Sequence, residues 1–81
     1  MYWVYAISSQ SRNYIYVGLT SNLEKRLVRH NSGYERTTKP YAPFRLIYQE
    51  QCTHRIQARE REKYLKSGAG KEFLKQLINI C

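Results

Sequence analysis

Polar and apolar residues along the chain follow two different periods. In YWVYAI (residues 2–7) and YIYVG (14–18), aromatic and β-branched side chains alternate with the two-residue period of a strand. The polar SSQSRN between them reads as the turn of a hairpin. On this pattern Trp3, Tyr5 and Ile7 share one face of the first strand, and Tyr14, Tyr16 and Gly18 share one face of the second. Val4, Ala6, Ile15 and Val17 take the opposite faces. Gly18 ends the second strand where the backbone must turn sharply or approach something closely. TSNLEKRLVRHN then changes to helical spacing, with Ser21 as N-cap, Glu24 completing a capping box, a helix to about Asn31, and Gly33 closing it. A polar, basic loop with two prolines covers 33–43. FRLIYQE (44–50) alternates as a third strand. Thr53 is placed to cap a second helix over about His54 to Lys66, which Gly68 would end. A last helix carries Phe73, Leu74, Leu77 and Ile78 as one apolar stripe. The order β-β-α-β-α-α, a hairpin and one more strand with helices packed on them, predicts an α+β fold in a single domain, residues 1–81.

Two helices carry polar groups where apolar ones are expected. At 100° per residue, Leu23, Arg26, Leu27 and His30 fall within an arc of about 100°. Glu24, Lys25 and Arg29 hold the other side, so Leu23 and Leu27 are expected as the buried anchors, with Arg26 and His30 flanking them. A single arginine can lay its stem over a core and keep its head in water. An Arg–His pair beside a basic loop and a Tyr-rich hairpin fits that account less well. In the second helix Ala58, Glu62 and Leu65 follow i, i+4, i+7 spacing, which puts a carboxylate on the inner stripe. Ile56 lies nearly opposite Ala58, so Glu60 and Glu62 can exchange roles. Glu62 can also serve simply in an i,i+4 ion pair with Lys66, worth roughly a few tenths of a kcal/mol.

Charge enlarges the picture. Fourteen Lys and Arg stand against six Asp and Glu, a formal net charge of +8, which attracts polyanions at long range and nucleic acid foremost. A basic surface kept for solubility is the plainer explanation. Eight tyrosines could stack on bases, and they are equally at home in strands. Two cysteines, Cys52 and Cys81, form no metal-binding or disulfide framework, which fits a reducing compartment. No stretch suggests a signal peptide or a membrane span, so a cytoplasmic protein without membrane contact is expected. The chain contains no Asp, neither His stands near an obvious nucleophile, and GAGK lacks the length and preceding strand of a phosphate loop. One carboxylate cannot hold two metals, but it can hold one hard divalent cation that keeps most of its waters. Such an ion beside an arginine and a phenol suits attack on a phosphodiester.

These residues also resemble a known family. WVY (Trp3–Tyr5) followed by YVG (Tyr16–Gly18) is similar to the paired signature of GIY-YIG nuclease domains. GLTSNLEKRLVRHN resembles that family's turn and helix, and AREREKYLKSG the helix carrying its metal-binding glutamate. The likeness runs over nearly the whole chain in the right order and is closest to small stand-alone bacterial members. It implies a three-stranded antiparallel sheet flanked by helices, with Tyr5, Tyr16, Arg26, His30 and Glu62 as catalytic residues. Glu62 would hold one Mg²⁺ or Mn²⁺, Arg26 would neutralise phosphoryl charge, and Tyr5 would accept a proton from the attacking water. Tyr16 and His30 would hydrogen-bond the water, the phosphate or Tyr5. A phenol is a poor base at neutral pH, so nearby cations are expected to lower the Tyr5 pKa. Gly18 would let backbone pass close by. Arg36, Lys39 and Lys66 are the candidates for contacting flanking DNA phosphates. Trp3 stands where the family's first signature has glycine, and Asn79 is the only counterpart of an asparagine that supports the site in larger members.

The leading expectation is a metal-dependent DNA endonuclease, plausible in repair or recombination, acting as a monomer or weak dimer with room for a protein partner that supplies specificity. The alternative is a nucleic-acid-binding module with weak or no cleavage. A protein-interaction scaffold is a third class, disfavoured because the pattern shows no exposed apolar patch.

Overall fold

The structure, a computed structural model, describes residues 1–80, with side chains through Ile78. Its elements are β1 (Tyr2–Ser9), β2 (Ile15–Thr20), α1 (Leu23–Asn31), β3 (Phe44–Cys52), α2 (Arg55–Lys66) and α3 (Gly68–Ile80), with a short 3-10 turn at Lys39–Tyr41. The strands form one antiparallel sheet in the order β2-β1-β3. No helix among the described residues is long and apolar enough to cross a membrane.

β1 is the central strand, which is why it reads as nearly continuous aromatic and branched residues and why Val4 to Ile7 are fully buried. Its two faces serve two half-cores. Val4 and Ala6 join Val17 and Cys52 beneath Ala58, Leu65 and Leu74 of α2 and α3. Tyr5 and Ile7 join Phe44 beneath Leu23 and Leu27 of α1, with Tyr14, Tyr16 and Tyr41 at the margin. Each fully buried Leu contributes on the order of 1.5–3 kcal/mol relative to exposure.

The third strand does not keep simple alternation. Its pairing with β1 runs Ala6 to Tyr48 and then Ile7 to Leu46, a shift that takes up Ile47. The extra residue moves Phe44 and Leu46 to the Tyr5 face, while Tyr48 and Cys52 stay with Val4 and Ala6. Glu50 then ties the sheet to α2: Tyr48 Oη donates to it at 2.6 Å, and Arg61 Nε at 2.9 Å. Burial pushes the Glu50 carboxyl up, but Tyr48 and Arg61 outweigh it and hold the group below the usual carboxylate range.

Helix ends depart from the sequence expectation by a residue or two. Asn22, not Ser21, caps α1, its Oδ1 accepting from Lys25 N–H at 3.1 Å. Thr20 goes with the shift, because its Oγ1 takes the Asn22 N–H across a bend at Ser21, so that the helix begins after Asn22. The C-terminus of α1 closes as expected at Gly33 (φ 78°), with Gly33 N–H on the His30 carbonyl and Tyr34 N–H on that of Arg29. His54 rather than Thr53 stands at the start of α2, without a side-chain cap. Gly68 opens α3 instead of ending α2, since the chain turns within Ser67, whose hydroxyl accepts the Gly70 N–H. Gly70 lies where the two helices meet; a Cβ there would stand 2.5 Å from Leu65 Cα.

Candidate active site

The site begins with a cross-strand pair. Tyr5 on β1 lies opposite Gly18 on β2, and Ile7 opposite Tyr16. The Tyr5 ring crosses the glycine so closely that a Cβ at Gly18 would stand 2.5 Å from Tyr5 Oη. Any side chain at that position would displace the phenol, so the expected close approach is that of a ring and not of a second backbone. Tyr16 sits alongside, its ring centre 6.3 Å from that of Tyr5.

α1 lowers two groups onto these tyrosines. Leu23 and Leu27 anchor the helix yet stay partly exposed, and its most buried residue is His30, at 1% exposure. This corrects the expectation that His30 merely flanks the stripe. His30 Nε2 is 2.8 Å from Tyr5 Oη, and the ring centre lies 5.0 Å from that of Tyr16. On its other side His30 Nδ1 is 2.9 Å from Oγ1 of Thr38, a residue with no exposed surface. One turn earlier, the Arg26 guanidinium lies against the hydroxyls of Tyr5 and Tyr16 and 3.6 Å from Glu35, which Arg29 Nε binds at 2.9 Å. Arg26 Nε is buried with no hydrogen-bond partner among the described residues, so this arginine keeps a donor unused.

The surroundings set the protonation states. Burial pushes the Tyr5 phenol up to about 12, and the Arg26 guanidinium beside it only partly opposes this. Cations were expected to lower it; desolvation wins, because the ring is enclosed by strand and helix. Burial and the Arg26 charge push the His30 imidazole down, favouring its neutral form. Arg26 is held the more firmly protonated: burial works against its charge, but Tyr5, Glu35 and Tyr16 together more than compensate. The Arg29 hydrogen bond holds the Glu35 carboxyl below its ordinary range.

The remaining candidates stand apart. Glu62 is on the inner side of α2 with 13% of its side chain exposed, whereas Glu60 is exposed, which decides between the two. Its ion pairs run to Lys66 at 3.3 Å and Arg59 at 3.9 Å, and no hydrogen bond or ion pair among the described residues joins it to the Tyr5–His30 cluster. No group of three His, Cys, Asp or Glu among the described residues could cage a metal. The donor set, one half-buried carboxylate, fits only a hard cation that keeps most of its waters. Arg36 and Lys39 are exposed on the loop after α1. Lys66 lines a groove of about 530 Å³ along the open edge of β2, with Lys71 and Lys75 on its rim. A second, polar cleft of about 470 Å³ is lined by Lys25, Arg26 and Arg29 together with Thr20 to Asn22. Cys52 is buried and its thiol pushed up by burial, so it belongs to the core, while Cys81 and the Asn79 side chain lie outside the described residues. Thr38 and Glu35 escaped sequence reasoning, because a loop has no period to mark which of its residues point inward. The one available signal was that Glu35 is the single acid in a basic loop.

Comparison with known proteins places this geometry. The GIY-YIG catalytic domain matches residues 1–75. Among relatives, a UPF0213 protein of Staphylococcus haemolyticus is 32% identical over 94% of this chain and 93% of its own. UPF0213 proteins of Clostridium perfringens (36% identical; 82% of this chain, 71% of its own) and Pediococcus acidilactici (39%; 80% and 69%) are also similar. No solved structure matches. With the paired tyrosines, the arginine and the histidine drawn together on one sheet face, the chain belongs to the GIY-YIG family, a superfamily of nucleases.

Proposed function

We propose that this domain is a metal-dependent DNA endonuclease that hydrolyses phosphodiester bonds by in-line attack of water. The observation that carries the reading is the buried 2.8 Å contact between Tyr5 Oη and His30 Nε2 beside the Arg26 guanidinium. Binding a polyanion needs only surface charge; enclosing a phenol–imidazole pair costs desolvation and has value when a proton must move. A phenol pushed up to about 12 does not work as a free phenolate. It takes the proton of the attacking water while passing its own to neutral His30. Arg26, firmly protonated and about one-third exposed in the wall of the polar cleft, binds the phosphoryl oxygens through the part of its guanidinium that faces the cleft and neutralises the charge that builds there. Tyr16 orients the water or the phosphate. Glu62 is the residue that would hold Mg²⁺ or Mn²⁺, which supplies Lewis-acid charge at the scissile phosphate when bound. The Glu62–Lys66 and Glu62–Arg59 pairs would open to admit the ion and free those cations for DNA phosphates, with Arg36 and Lys39 as further contacts. Gly18 keeps the space that the Tyr5 ring needs. Such a nuclease suits repair or recombination in the cytoplasm, with a partner protein as one source of specificity.

A second reading, a nucleic-acid-binding module that cuts weakly or not at all, is favoured by one observation: the ion pairs of Glu62 run to its own helix and not to the cluster. Cleavage of labelled single-stranded, duplex, nicked and branched DNA, with Mg²⁺ or Mn²⁺, separates the two. Wild-type cutting that both Glu62→Gln and Tyr5→Phe abolish supports the nuclease. Binding without cutting on every substrate supports the module.

A further inference from the structure

Thr38 is a fully buried polar residue with no part in the reaction so far. Its hydroxyl lies between two groups, His30 Nδ1 at 2.9 Å and the Glu35 carbonyl oxygen at 3.4 Å. The carbonyl only accepts, so the hydroxyl hydrogen turns toward it and leaves a lone pair facing Nδ1. The Nδ1 nitrogen must then carry the imidazole proton. In a neutral ring that leaves Nε2 bare, and Nε2 is the atom 2.8 Å from Tyr5 Oη.

The other side of the contact agrees. Arg26, against the Tyr5 hydroxyl, can only donate. If His30 also donated from Nε2, the buried Tyr5 hydroxyl would face two donors and be deprived of its best acceptor. An unmet buried donor costs on the order of 1–3 kcal/mol. Donation from Tyr5 to Nε2 and from Nδ1 to Thr38 satisfies every group in the row.

The geometry points to Thr38 as a positioning residue: its hydroxyl fixes His30 in the tautomer whose Nε2 accepts the Tyr5 proton. This rests on the nuclease reading above for its consequence, though not for its geometry. During attack a water O–H bond breaks, its proton goes to Tyr5 Oη, and the Tyr5 proton passes to Nε2. The water oxygen bonds to phosphorus as the bond from phosphorus to the leaving oxygen breaks, and solvent protonates that oxygen. His30 ends as imidazolium with Nδ1–H still on Thr38, and returns its proton to solvent.

The test uses Thr38→Val, which keeps the shape and removes the hydroxyl, and Thr38→Ser, which restores it. Nitrogen-15 NMR of the His30 ring reports the tautomer without any substrate. The wild type and Thr38→Ser should show a protonated Nδ1 and a bare Nε2, and Thr38→Val a mixture shifted toward Nε2–H. Cleavage by Thr38→Val should fall about 10- to 100-fold, the range seen when an orienting partner is removed, and Thr38→Ser should recover most of it. A wild-type ring protonated at Nε2 overturns the assignment even if Thr38→Val fails to fold. So does a Thr38→Val protein with unchanged tautomer and rate. If the wild type cuts no substrate, the function reading fails separately, and the ring spectrum still decides the role of Thr38.

Discussion

His30 shows how a single residue can couple chemistry to stability. Its imidazole faces Tyr5 from β1, Tyr16 from β2, Arg26 and Arg29 on its own helix, and Glu35 and Thr38 from the following loop. Burial and the two arginines push its pKa below the ordinary 6.5, with Glu35 opposing only in part. The unfolded chain therefore binds a proton that the folded one resists, between 6.5 and the lower folded value. Stability contributed by the neutral ring is complete above 6.5 and is lost as the pH falls through that window. Thermal melts should show Tm declining from just below pH 6.5, well above the range where Glu35 and Glu50 titrate. In His30→Gln this upper slope should vanish while the acid slope of the glutamates remains. A His30→Gln protein that keeps the same decline would assign it elsewhere.

At the level of elements, the helix ends are the sharpest test of the local physics. The Lys25 N–H at the start of α1 rests on Asn22 Oδ1 at 3.1 Å, and Ser21 makes no such bond. Asn22→Ala should cost about 1 kcal/mol in chemical denaturation, and Ser21→Ala close to nothing. Equal costs would mean that the capping box at Ser21 forms after all. The same end matters to the site, because Arg26 N–H bonds the Asn22 carbonyl at 3.1 Å and so takes its position from that first turn. β3 teaches the complementary lesson. Its sequence alternates, but the shift at Ile47 divides it, giving Phe44 to the half-core under His30 and Cys52 to the one under α2. The 6.0 Å edge contact of Phe44 with the His30 ring depends on that division.

For the molecule as a whole, charge and shape act together. The formal charge of +8 is collected partly on the outer side of α1 and on the loop behind it, where Lys25, Arg29, Arg36 and Lys39 are all exposed. The cleft lined by Lys25, Arg26 and Arg29 opens on this surface, with Arg26, which lies against Tyr5 and Tyr16, in its wall. Screening over about 8–10 Å at moderate salt makes such a surface strongly dependent on ionic strength. Replacing Arg36 and Lys39 by Ala should weaken binding to all DNA sequences alike. The slope of log affinity against log salt should fall by about 1 for each phosphate that the variant no longer neutralises. An unchanged slope in a filter-binding or anisotropy titration would remove this loop from the DNA-binding surface.

By itself the sequence determined the order of elements, the two faces of β1, the excess of positive charge, and an arginine and a histidine one turn apart on one helix. These follow from periodicity and composition, which act between residues near each other in the chain. It also offered Gly18 as a strand end, turning sharply or meeting a close approach; the strand in fact runs on to Thr20, and what approaches is the Tyr5 ring. The tertiary structure alone decided which polar group goes deepest. His30 is more buried than the leucines of its own helix because Thr38, eight residues on, returns beneath it. It alone decided that Tyr5 is pushed up to about 12, since a phenol is raised by the water it gives up and lowered by the cations it meets. That balance is struck among β1, β2, α1 and a loop, parts of the chain that meet only when the protein folds.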